Sequence, residues 1–128
     1  MILFDEKYLR IEVDKNQDLM VQTWKGNVSS EEYREGVLKV LEIFREQKVS
    51  KVISDTKEQA NVKKEDVDFE EKLVPEFIKS GMKCYAFVIP TNSFAKLSVE
   101  RFKKESESKL PLQYFDDVEK AREWLRRK

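Results

Sequence analysis

The amino-acid sequence predicts a single α/β domain over residues 1–128. Its core is a mixed sheet of about five strands, an opening β-hairpin followed by parallel strands, covered by four helices in the order β-β-α-β-α-β-α-β-α. Three observations carry this reading. The run Lys83-Cys84-Tyr85-Ala86-Phe87-Val88-Ile89-Pro90 is too short to span a membrane and too continuous for a half-exposed strand, so it reads as a buried central strand. Two stretches near the start alternate apolar and polar residues with period two. Elsewhere apolar residues recur at three and four, the spacing of a helix with one buried face.

Each element follows from its own residues. From Tyr8 to Asp14, Leu9, Ile11 and Val13 share one face, with Arg10, Glu12 and Asp14 on the other. A polar turn over Lys15 to Asp18 leads to a second strand, Leu19 to Lys25, and the two form an antiparallel hairpin. Ser29 and Glu32 have the spacing of a capping box, in which hydroxyl and carboxylate satisfy two orphaned backbone donors. The helix that starts there buries Tyr33, Val37, Val40, Leu41 and Phe44. Gly36 inside it costs about 1 kcal/mol against Ala, to be repaid by close packing or tolerated at the surface.

Lys51 to Asp55 is a short strand reached through that helix and is therefore parallel to the one before it. Thr56 to Lys64 reads as a polar connector, followed by a helix from about Glu65 to Ser80 that Pro75 should kink or divide and Gly81 should close. After the buried strand, Thr91-Asn92-Ser93 supplies caps for a third helix carrying Phe94, Leu97, Val99 and Phe102. Leu112 to Phe115 is a last strand. Asp116 with Glu119 then begins a final helix whose inward residues are Val118, Ala121, Trp124 and Leu125, and its basic end, Arg126 to Lys128, complements the helix dipole.

Composition removes several classes of function. The chain is 39% charged, against an average of about 25%, but 25 Lys and Arg are matched by 25 Asp and Glu. Zero net charge argues against nucleic acid as a partner, which calls for uncompensated basic residues. There is no histidine, so serine-histidine and cysteine-histidine nucleophiles are excluded, and three glycines cannot write a dinucleotide or phosphate-binding loop. The single cysteine, Cys84, falls in the buried strand and reads as a small hydrophobe in a reducing compartment. Asp5 and Glu6 follow the apolar start directly, unlike a signal peptide, and no stretch is long enough for a membrane span. A cytoplasmic protein without cofactor or metal is expected.

The carboxylate pairs Glu65-Asp66, Glu70-Glu71 and Asp116-Asp117 fall on helix starts and solvated faces, where an acid–base role is not expected. Topology offers a better candidate, because ligands of open α/β sheets gather beyond the carboxyl ends of parallel strands. The residues there are Asp55, Thr56 and Lys57 after the third strand and Thr91, Asn92 and Ser93 after the fourth. The plainer alternative is that Asp55 accepts hydrogen bonds from its own loop while Asn92 or Ser93 caps a helix. Trp24, at a strand end, is expected in the core.

With these elements placed, the chain resembles the STAS superfamily, the fold of bacterial anti-sigma-factor antagonists and of the cytoplasmic ends of sulfate transporters, and is most similar to small stand-alone SpoIIAA-like proteins. The residues that carry the resemblance are Trp24-Lys25-Gly26, Val52-Ile53-Ser54-Asp55, Pro75, Ala86-Phe87-Val88, Phe115-Asp116-Asp117, Ala121 and Trp124-Leu125. It implies a non-enzymatic domain that acts by protein–protein interaction. Regulatory members carry an Asp-Ser-x-Gly element whose serine is phosphorylated. The segment here, Gln59-Ala60-Asn61-Val62-Lys63-Lys64, has neither serine nor glycine, so that switch is not implied.

Two other readings stand beside it. The aromatic residues Phe69, Phe77, Phe87, Phe94, Phe102 and Trp124 either fill a core or line a cavity for a small apolar or lipid-like ligand. An enzyme would have to use Asp55 with Lys57 or Ser93. An edge strand, Tyr8 to Asp14 or Leu112 to Phe115, is available for a homodimer paired across a two-fold axis.

Overall fold

A computed structural model describes residues 1–59, 63–90 and 111–128, the side chains of Lys64 and Val67 excepted. In chain order the elements are β1 (Ile2–Asp5), β2 (Leu9–Asp14), β3 (Leu19–Gly26), α1 (Ser30–Gln47), β4 (Lys51–Gln59), α2 (Lys64–Lys79), β5 (Cys84–Val88), β6 (Leu112–Phe115) and α3 (Val118–Arg126). The strands form one sheet in sequence order, β1 to β6. The first two pairings are antiparallel and the last three parallel, as the hairpin and the helical crossovers require.

The sixth strand is β1, which the sequence reading did not resolve: four residues are too few to establish a period, and their pairing with β2 defines them. Its presence makes β2 an interior strand, so of the two edges expected for Tyr8–Asp14 and Leu112–Phe115 the described sheet keeps the second. β5 lies one place in from that edge rather than at the centre. Three of the four expected helices are described; the expected helix carrying Phe94 to Phe102 lies outside the described residues.

The two faces of the sheet are covered differently. α1 and α2 pack on one face over Leu9, Ile11, Val13, Met20, Trp24, Val52 and Tyr85. α3 packs on the other over Leu19, Val21, Ile53, Cys84, Ala86, Val88 and Phe115. Period two in β3, β4 and β5 therefore serves two cores at once, which is why these strands read as continuous apolar runs.

Ser29 caps α1 with both bonds of the capping box formed, Glu32 N donating to Ser29 Oγ and Ser29 N to Glu32 Oε1, each at 3.1 Å. Gly36 is a close-packing glycine: a Cβ there would lie 2.7 Å from Trp24 Cη2. α2 runs unbroken through Pro75, rather than being divided by it, with Pro75 on the exposed side of the helix. It ends in a Schellman turn, with Met82 N donating to Phe77 O and Gly81 N to Ile78 O, both at 3.0 Å, and Gly81 at φ +107°. The cap of α3 is Asp117 rather than Asp116, since the Asp117 carboxylate accepts Glu119 N at 3.0 Å, while Asp116 pairs with Lys120.

Candidate functional site

β4 is longer than its apolar residues suggested. The polar stretch Thr56 to Gln59 stays in the strand because its backbone keeps pairing with β3 up to Gly26. Between the pairs Thr23–Asp55 and Lys25–Glu58, Trp24 on β3 spans the interval that Thr56 and Lys57 occupy on β4, so β4 carries an extra residue. Such a bulge is rare in a parallel pair and turns side chains out of the regular alternation.

The bulge opens onto a concavity of about 450 Å³ at the carboxyl ends of β3 and β4. Asp55, Lys57 and Glu58 line it from β4, Thr23, Trp24 and Lys25 from β3, and Asp117 and Val118 from the start of α3. Two of the expected site residues, Asp55 and Lys57, thus meet in one surface depression. Thr56 turns away and donates its hydroxyl to Val88 O at 2.9 Å, tying β4 to the end of β5. Thr91, Asn92 and Ser93 lie outside the described residues.

Asp55 also follows the plainer expectation, since its Oδ1 accepts Lys57 N at 3.1 Å. Burial pushes its carboxyl above the usual range, against the lowering effect of that bond and of Lys57 and Lys25. Asp117 likewise spends one oxygen on its own helix start. The rim therefore carries two lysines and three acids in a preformed arrangement, charges that suit a polar surface better than an apolar ligand.

A second concavity, of about 490 Å³, lies along β2 and the β2–β3 turn, with Glu12, Asp14, Lys15 and Arg122 around Val13 and Val21. None of the candidate site residues expected from the sequence, Asp55, Thr56 and Lys57 among them, lines it.

The carboxylates Asp66 and Glu70, read from sequence as solvated, point inward. Asp66 is buried and accepts Ser30 Oγ at 2.7 Å and Arg34 Nε at 3.1 Å; the Ser30 bond, opposed by burial and helped by Arg34, holds its carboxyl below the usual range. Glu70 accepts the hydroxyls of both Tyr33 and Tyr85. The signal was available: Asp66 and Glu70 stand one turn apart beside the row Phe69, Leu73 and Phe77, and therefore face the core.

The aromatic side chains pack on one another. Phe77 meets Phe44 at 5.5 Å, Phe115 meets Trp124 at 5.7 Å, and Phe87 stacks between Tyr85 and Tyr114 at 4.3 and 5.2 Å. Cys84 is buried, which pushes its thiol up and away from reactivity. No group of three potential ligands able to hold a metal occurs among the described residues, and no described helix is long and apolar enough to cross a membrane.

Comparison with known proteins agrees with this architecture. No curated protein matches the sequence. Among solved structures, the chain is similar to an uncharacterized protein of the DUF3478 family with a SpoIIAA-like fold from Shewanella loihica PV-4. The TM-score is 0.68 at 17% identity, over 96% of this chain and 98% of that one. The sequence pattern of the SpoIIAA-like family matches residues 19–126, from the first residue of β3 to the last of α3, and the chain belongs to that family.

Proposed function

We propose that this domain acts in the cytoplasm by binding a protein partner, without chemistry of its own, at the concavity where β4 ends and α3 begins. The observation that carries the reading is the meeting of Lys25, Asp55, Lys57, Glu58 and Asp117 around one depression at the carboxyl ends of parallel strands. A rim of mixed charge gives a protein partner register and excludes mismatched surfaces. Local backbone bonds to Asp55 and Asp117 preorganise it, so little ordering entropy is lost on binding.

The test is affinity capture from a lysate of the source organism, with the parent chain, a Lys57→Glu variant and a Lys15→Glu variant as baits. The reading expects a stoichiometric protein captured by the parent and by Lys15→Glu, and lost with Lys57→Glu. Equal capture by all three would refute the site. Native mass spectrometry of the freshly purified chain supplies the complementary test: an added mass of a few hundred daltons, roughly that of a pocket-sized ligand, would replace this reading with a carrier of a small apolar molecule. The same spectrum reads whether the β6 edge supports a homodimer.

A further inference from the structure

The face beneath α1 and α2 holds a line of polar groups that the partner site does not use. Trp24 Nε1 donates to Gln22 Oε1 at 2.8 Å, Gln22 Nε2 donates to Tyr85 Oη at 3.2 Å, and Tyr85 donates to Glu70 Oε1 at 3.2 Å. Tyr33 donates to the other oxygen of Glu70. Trp24, Gln22, Tyr33 and Tyr85 are all buried.

Chemistry fixes the direction of every link. An indole N–H only donates, so the Gln22 amide must turn its oxygen to Trp24 and its nitrogen to Tyr85. The Tyr85 oxygen accepts that nitrogen and donates its own proton to Glu70. The line therefore runs one way, from β3 through β5 to α2, and requires an acceptor on both oxygens of residue 70. An ionised carboxylate meets it with two full acceptors, whereas a carboxylic acid's hydroxyl oxygen accepts more weakly and adds a donor. Burial, reinforced by the charge of Glu70, raises both tyrosines above their usual range, so the phenols stay protonated as donors.

Elsewhere α2 is held to α1, by Asp66 with Ser30 and Arg34, by Glu76 with Arg45, and by Phe77 on Phe44, so this line is its described side-chain tie to the sheet. Among its described side chains, Asp66 and Phe77 are buried, while Phe69, Leu73 and Val74 are half-exposed. Among the described contacts, the titratable and charged groups near Glu70 include Tyr33 on α1 and Tyr85 on β5, with Asp66 and its partner Arg34 one turn earlier. Arg34 is committed to Asp66 and lies 5.1 Å above the Phe69 ring.

We propose that the Trp24–Gln22–Tyr85–Glu70 line is a proton-sensitive latch that holds α2 against the sheet and releases it when Glu70 takes up a proton. The proton comes from solvent, which reaches the half-exposed Glu70. It turns one strong acceptor oxygen into a hydroxyl, a donor and a weaker acceptor, opposite a phenol that is itself donating. That arm opens, and the buried amide of Gln22 loses the fixed partner that oriented it. α2 then loosens while the sheet and α1 stay folded.

The test is an NMR titration of the full chain from pH 7 to pH 4, following the indole N–H signals of Trp24 and Trp124 with amide exchange along α2. Trp124 lies on the other face of the sheet and serves as an internal control. The latch predicts a single-midpoint shift of the Trp24 signal, an unmoved Trp124 signal, and exchange in α2 accelerated at least tenfold relative to α1. In Glu70→Gln the midpoint disappears. In Tyr85→Phe, which keeps the ring stack but cuts the line, Trp24 no longer follows the titration. A Trp24 signal that stays still, moves together with Trp124, or titrates unchanged in either variant would overturn the proposal.

Discussion

The two faces of the sheet solve the same burial problem with different chemistry. The face under α3 is closed by Ile53, Ala86, Val88, Trp124 and Leu125, with polar groups confined to its rim. The face under α1 and α2 is mixed, because Gln22, Ser54, Tyr85 and Asp66 are buried beside the apolar residues, Gln22 bonded to Tyr85 and Asp66 to Ser30 and Arg34. Apolar packing tolerates small shifts, whereas a directional line of donors tolerates one arrangement. The difference teaches where directionality resides: in side-chain bonds on one face, and on the other only in the charged rim that we propose as the partner site.

Truncation should separate the two faces first. Leu125→Ala removes a 2% exposed side chain from the α3 face and is expected to cost about 2–5 kcal/mol, read by urea denaturation. Tyr85→Phe on the opposite face removes one oxygen yet leaves Gln22 and Glu70 short of a partner, so about 1–3 kcal/mol is expected. A Tyr85→Phe protein as stable as the parent would show that the polar face is held by packing alone.

Gly36→Ala sharpens the comparison at smaller scale. The helix gains about 1 kcal/mol in propensity, but the new Cβ drives into the Trp24 ring, whose indole N–H is bonded to Gln22 and resists displacement. Overpacking of this kind costs about 1–3 kcal/mol, so a net loss of about 1 kcal/mol in denaturation is expected, together with a perturbed Trp24 signal.

Alkali should weaken the α1/α2 face selectively. Tyr33 and Tyr85 have folded pKa values raised above that of the unfolded chain. Their contribution is complete below the ordinary tyrosine value of about 10 and is lost as pH climbs beyond it, because the unfolded chain ionises first. Denaturation midpoints that fall between pH 9 and 11 in the parent and fall less in Tyr85→Phe would bear this out. The smallest expected effect is at the rim. Burial raises the pKa of Asp55, so its charge is a liability at neutral pH, and Asp55→Asn should be neutral or stabilising by under about 1 kcal/mol in the same assay.

Much of this architecture was legible in the sequence, for reasons that particular residues illustrate. Leu9, Ile11 and Val13 announce a strand because period two is a local property, and Ser29 with Glu32 announces a helix start because capping is local too. β1 was not legible, nor was the extension of β4 to Gln59, since both depend on a neighbouring strand's backbone. Topology pointed to Asp55 and Lys57 as residues following the strand; they lie within the longer β4 and meet in one depression. It did not supply Lys25 and Asp117, which reach the same depression from elements distant in sequence. Glu70 was misread as solvated because its two phenolic partners, Tyr33 and Tyr85, come from α1 and β5.

The most direct test of the division between the faces compares two variants in one binding titration with the captured partner. The account predicts that Lys57→Glu weakens binding at least tenfold while remaining as stable as the parent, and that Tyr85→Phe loses stability but binds like the parent. If Tyr85→Phe abolished binding and Lys57→Glu left it intact, the rim would not be the site, and the polar face would have to be the functional one.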